Sequence, residues 1–150
     1  MDTSRFRPHA DLRGADLSGA NLSDVDLWGA SLEGANLQGA NLEGAHLYRA
    51  NLRSADLTDA SLTGVNLIEA DLARAVLRGA RLDWAYLDGA DLARADLRGA
   101  SLFRADLFGA TLEGANLEGA DLRRADLDGA LIDDGEGRTF VLGPPFLTTH

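Results

Sequence analysis

Ala15-Asp16-Leu17-Ser18-Gly19, followed at once by Ala20-Asn21-Leu22-Ser23-Asp24, is the stretch whose spacing decides the fold. Its pattern fills most of the 150-residue chain. Leucine stands at every fifth position from Leu12 to Leu127, 24 times without a break, and Ile132 takes the next such place. Two residues before each of these 25 places stands alanine, from Ala10 to Ala130, except at Val25 and Val65. Between alanine and leucine lies aspartate or asparagine in 16 of 25 cases, and two residues after the leucine comes glycine in 14 of 24. An exact period repeated this often means that one small unit builds the whole structure.

A period of five suits neither common element. On an α-helix five residues advance about 500°, so the leucines would spiral round every side rather than form a stripe. The glycines oppose a helix further, each costing about 1 kcal/mol in its interior. A straight strand fails too, because an odd period sends successive leucines to opposite faces. The chain must turn once per repeat. Within a repeat, alanine and leucine are two apart and share one side of a short extended segment, with the residue between them pointing away. Turning the same way each time gathers the leucines inside, and the glycine, aspartate and asparagine around each corner accept positive φ or bond the local backbone. The product is a solenoid whose backbone bonds run to the coils above and below.

Composition agrees and narrows the function classes. With 24 acidic against 14 basic side chains the net charge is −10, which opposes direct binding to nucleic acid phosphates and favours a basic protein surface as partner. All 14 basic residues are arginine, and cysteine is absent, which excludes disulfides and thiolate metal sites. No apolar run approaches the roughly 20 residues of a membrane span, and no apolar stretch follows Arg5 and Arg7 as in a secretory leader. A cytoplasmic location is the expectation.

Runs such as Ala15-Asp16-Leu17-Ser18-Gly19 and Ala115-Asn116-Leu117-Glu118-Gly119 resemble the pentapeptide repeat family. The resemblance implies an all-β fold, a right-handed quadrilateral parallel β-helix with four repeats per coil and about six coils here. It divides the chain into an N-terminal cap or arm at 1–9, the β-helix at 10–134 and a C-terminal cap at 135–150. Six coils at ~4.8 Å make a rod of about 29 Å. After Ile132, Asp133 to Gly137 reads as a turn and Thr139-Phe140-Val141-Leu142 as a short strand. Phe140, Val141, Leu142, Phe146 and Leu147 are apolar enough to cover the last coil. Many family members dimerise through a C-terminal element, so these residues are also the candidates for joining a homodimer.

Nothing in the sequence carries catalysis. His9, His46 and His150 are isolated, and no phosphate loop, zinc spacing or calcium repeat occurs, so no catalytic, cofactor or metal residue is expected and the protein is not read as an enzyme. Function falls to the surface. With four repeats per coil, adding 20 sorts outward residues into four faces. The face of Leu27 to Leu127 carries Asp26, Glu69, Asp88, Asp106, Asp126 and Asp128 against Arg49, a net −5. The faces of Leu17, Leu22 and Leu12 carry −3, zero and −1. On the acidic face the positions after leucine read Trp28, Tyr48, Ile68, Asp88, Phe108 and Asp128, with Tyr86 beside them. An apolar strip beside acid is one way a protein-binding patch is built, and stacking between coils is the structural alternative.

In repeat, acidity and dimension the chain resembles the fluoroquinolone-resistance branch of the family, the Qnr type and the loop-free mycobacterial kind, acidic rods that mimic DNA and occupy the saddle of gyrase. It lacks the central phenylalanines frequent there and has no projecting loops. Duplex DNA carries about one charge per 1.7 Å, so ~29 Å of it holds roughly 17, against the net −9 of these four faces. The leading expectation is a gyrase-binding DNA mimic. The alternatives are an adaptor that binds a protein through the apolar strip, and a consensus-like repeat protein with no evolved partner.

Overall fold

The computed structural model describes residues 5–133, 135–136 and 138–143. Each repeat builds one side and one corner of a four-sided coil. Leu17 N–H donates to Asn36 O at 2.7 Å in the next coil, and Asn36 N–H donates back to Ala15 O at 2.9 Å. This parallel pairing recurs at a constant offset of 20 residues, from Asp11↔Ser31 to Thr111↔Leu131. A side is so short that a single residue on each is bridged, four per circuit. The only longer strands among the described residues are β1 (Leu131–Asp133) and β2 (Thr139–Val141), which pair antiparallel.

The corner shows why the repeat has its consensus. Ala20 N–H closes the turn on Leu17 O at 3.0 Å. The residue two after the leucine holds positive φ in all 24 repeats: the 14 glycines lie between 60° and 72°, and ten other residues between 55° and 62°. Glycine is the frequent choice because a Cβ is penalised in this region. The residue between alanine and leucine does more than face outward. Every one of the 16 aspartates and asparagines there accepts, through Oδ1, the N–H two residues on, as Asp16 does from Ser18 at 3.1 Å and Asn116 from Glu118 at 3.0 Å. That bond satisfies a corner donor that the next coil does not use.

Leucine and alanine fill the interior. Leu22 to Leu107 are at most 1% exposed, and no polar residue is buried among the described ones. Hydrophobic burial thus runs as a continuous column, with each coil packed only on its neighbours. The two ends differ. Phe6 packs against the first coil, and Leu12, Leu17 and Leu27 stay buried. At the other end Leu117, Leu122 and Leu127 are only half-buried, and the N–H groups of Leu117, Leu122 and Leu127 have no backbone acceptor among the described residues.

Of the five residues expected to cover the last coil, Leu142 does so: it packs against the core, its N–H donates to Ala130 O at 2.8 Å and its O accepts from Gly129 at 2.7 Å. Phe140 and Val141 are 48% and 67% exposed. β2 pairs antiparallel with β1, which continues one side of the coil through Thr111↔Leu131. Phe146 and Leu147 lie outside the described residues.

Candidate protein-interaction site

The ladder brings the residues of the acidic face into two parallel columns. Asp26, His46, Asn66, Tyr86, Asp106 and Asp126 bridge one another in order. Beside them Trp28, Tyr48, Ile68, Asp88, Phe108 and Asp128 stack through the corner bonds, Gly89 N–H donating to Phe108 O and Gly109 N–H to Asp128 O, both at 2.9 Å. The aromatics are open to solvent: Trp28 is 42%, Tyr86 52% and Phe108 54% exposed, while Tyr48 and Ile68 are half-buried. Part of the stacking is internal, since the His9 ring meets Trp28 at 4.4 Å and the Arg49 guanidinium lies 4.9 Å from the Tyr48 ring centre.

The charge is less even than the count of six acids suggests. Arg49 pairs with Glu69 at 2.6 Å, cancelling it, so in the first half of the face only Asp26 is left. Asp88, Asp106, Asp126 and Asp128 form the uncompensated group, all in the second half. Partial burial, then the charges of Asp106 and Asp126, pushes the Asp88 carboxyl up from the ordinary carboxylate value. Asp106 and Asp126 also build the coil, accepting the N–H of Phe108 at 3.1 Å and of Asp128 at 3.0 Å. One carboxylate oxygen holds the corner and the other faces water.

On the other faces some of the charges are paired. Arg98 grips Asp96 with Nε at 2.9 Å and Nη2 at 2.8 Å, and Arg78 Nε reaches the same carboxylate at 2.6 Å. Chiefly the Arg98 bond, with Arg78 adding to it against the opposing effect of burial, holds Asp96 well below the ordinary carboxylate range. Arg13 and Arg123 likewise hold Asp11 and Asp121 down at about 2. A depressed native pKa contributes stability above the unfolded value near 4 that disappears as pH falls through the native one. Arg98→Ala should therefore lower stability at pH 7, and by progressively less as the pH is taken below about 4. Thermal melts at both pH values read this directly, and an equal loss at pH 2 would mean that packing, not charge, is responsible.

No group of histidines and carboxylates is arranged to hold a metal ion among the described residues, and no helix is long and apolar enough to cross a membrane. His46 is exposed in the bridging column, and His150 lies outside the described residues. One cluster escaped the reading of the sequence: Trp84, Phe103 and Arg104, on the corner between the faces of Leu22 and Leu27, with the Arg104 guanidinium 4.4 Å from the Trp84 ring centre and 5.5 Å from that of Phe103. Its signal was present. Trp84, Arg104 and Arg124 occupy, 20 residues apart, the position where glycine is usual.

The pentapeptide repeats family matches the chain in eight copies, over residues 9–39, 30–67, 66–102 and 100–133. No curated protein sequence matches. Among solved structures the chain is similar to QnrB1, a plasmid-mediated fluoroquinolone resistance protein, with 28% identity and a TM-score of 0.73 over 77% of this chain and 58% of that one. It is also similar to HetL of Nostoc sp. strain PCC 7120, a pentapeptide repeat protein involved in heterocyst differentiation regulation, at 32% identity and a TM-score of 0.48 over 85% of this chain and 83% of that one. Rfr23 of Cyanothece 51142 is 41% identical with a TM-score of 0.33, over 66% of this chain and 60% of its own. With its repeat matched from residue 9 to residue 133 and its coil shared with QnrB1, the chain belongs to the pentapeptide repeat family of right-handed quadrilateral β-helices.

Proposed function

We propose that this protein is a non-enzymatic DNA mimic, a rod of about six coils that binds the DNA-binding groove of a type II topoisomerase such as gyrase and protects it from fluoroquinolones or topoisomerase toxins. The observation that carries the reading is the unpaired column of Asp88, Asp106, Asp126 and Asp128, in which partial burial and then the neighbouring carboxylates raise the Asp88 pKa. Regular acidic groups on a rigid rod present charge as a DNA backbone does, and a basic groove gains affinity from them by Coulomb attraction. The likeness in fold to QnrB1, a fluoroquinolone resistance protein, supports the same choice of partner. Trp28, Tyr48, Ile68, Tyr86 and Phe108 add contact area beside the charge.

The half-buried Leu117, Leu122 and Leu127, whose N–H groups have no backbone acceptor among the described residues, belong to this reading as the seat of a second copy. A tail-to-tail homodimer would lengthen the mimic without raising its charge density. The deciding experiment is gyrase supercoiling with increasing amounts of the protein, with and without a fluoroquinolone, at two salt concentrations. Inhibition or drug protection at low micromolar protein that fades as salt rises is the expected result, because exposed charges are screened within about 10 Å at 0.1 M salt. No effect up to tens of micromolar defeats the reading. Binding of some other protein with little dependence on salt would instead favour the adaptor, for which the exposures of Trp28, Tyr86 and Phe108 are the supporting observation.

A further inference from the structure

The face of Leu22 to Leu122 nets zero, and the structure resolves that zero into two opposite halves. In its first three coils the charged residues are Asp24 and Glu43. In its last three they are Arg81, Asp83, Arg104, Asp121, Arg123 and Arg124, a net +2 on a rod that is acidic elsewhere. The two acids do not cancel the arginines evenly. Asp121 is held by Arg123 at 2.7 Å, and Asp83 accepts from Ser101 Oγ and from Phe103 N–H. Arg81, Arg104 and Arg124 have no carboxylate within ion-pair distance among the described residues. Trp84, 50% exposed, lies among them with Phe103 edge-on at 6.3 Å.

Trp84, Arg104 and Arg124 hold φ of 60°, 58° and 61°, where the coils above place Gly44 and Gly64. Large side chains are disfavoured in the left-handed region. Three consecutive coils therefore keep a backbone penalty that glycine removes at 14 other corners, as Ser54, Arg74 and Arg94 do on the face of Leu12. An open cleft beside the cluster, about 390 Å³, has Thr63, Arg81, Trp84 and Phe103 in its wall together with Asp83 and Asp121, both already hydrogen-bonded, and the Thr63 hydroxyl is buried there with no hydrogen-bond partner.

We infer that this corner is a second docking surface, separate from the acidic face, and that its occupant is a short acidic segment of a partner protein. Three guanidiniums on successive coils span about 10 Å, the length of three extended residues. Guanidinium forks suit carboxylates, and the Trp84 and Phe103 rings offer an apolar floor for the peptide backbone between them. A nucleic acid duplex fits poorly, since it is wide enough to overlie Asp106 and Asp126, which follow Arg104 and Arg124 by two residues. The inference does not depend on gyrase as a partner.

The test is fluorescence anisotropy of fluorescein-labelled hexaglutamate with the full chain, beside a labelled single-stranded hexathymidylate. The variants are Trp84→Gly and the triple Arg81→Ser, Arg104→Gly, Arg124→Gly. They install residues that already stand at equivalent positions, Ser61 and Ser101 in one case and the corner glycines in the other, so the coil is retained. Hexaglutamate binding that falls at least about tenfold in the triple variant, with an undiminished melting temperature, is expected. Asp88→Asn, Asp106→Asn, Asp126→Asn should bind hexaglutamate as well as the parent or better, which separates this surface from the acidic face. Equal binding by parent and triple variant, no binding by the parent up to about millimolar protein, or tighter binding of hexathymidylate would each overturn the inference.

Discussion

Leu67→Ala should remove about 3–5 kcal/mol of unfolding free energy, the range for emptying a fully buried leucine site that cannot collapse. Leu67 has no solvent exposure, and its neighbours in the column, Leu47 and Leu87, are equally buried. The surrounding backbone cannot close over the void, because each coil is spaced from the next by hydrogen bonds of 2.7 to 3.2 Å on every side. The same change at half-buried Leu122 should cost less than half as much, since water already reaches that site. Urea denaturation of both variants gives the comparison. Equal losses would show that the open end is closed in solution by something packed on it, and the second copy proposed above would be the first occupant to examine by sedimentation.

The second large effect concerns the acidic column. Asp88→Asn, Asp106→Asn, Asp126→Asn should weaken topoisomerase binding by about 100-fold or more at low salt and flatten its salt dependence. Asparagine is the informative replacement because the structure gives Asp106 and Asp126 two tasks. Their Oδ1 atoms hold the corners by accepting from Phe108 and Asp128, and asparagine keeps that acceptor while losing the charge. Replacement by arginine would disturb both tasks and confuse them. Removing three carboxylates that repel one another should leave the melting temperature unchanged or higher. Inhibition of supercoiling that survives the triple change would assign the contact to another face.

The coil was legible because its signal is periodic and its core chemistry uniform. Ala15 and Leu17 could be placed inside from their spacing alone, and the glycine corners follow from the need to turn. Handedness and the number of sides were not in the spacing and came from the family resemblance. The dual role of Asp106 was half visible: aspartate beside a corner suggests a local bond, but not which donor it takes. Charge was the least legible level. Counting gave the acidic face six carboxylates, yet the pairing of Glu69 with Arg49 depends on rotamers and an offset of one coil, which composition does not express. The Arg81 to Arg124 corner was hidden by a net of zero, because a sum over a face discards position along it. The exposure of Phe140 and Val141 was likewise out of reach, since it depends on the direction in which β2 returns along β1.

The circuit of 20 residues and the repeat of five set two clocks on one chain. The interior reads only the faster one, so inserting or deleting a single repeat leaves every alanine and leucine in register. The exterior reads the slower one, and the same event turns all downstream decoration by a quarter revolution about the rod. A five-residue indel after Ala60 would carry Asp88, Asp106 and Phe108 onto an adjoining side while the core remained intact. For a molecule built this way, new surface combinations arise by rotation of existing ones, with folding preserved at each step, and a full set of four repeats restores the original alignment.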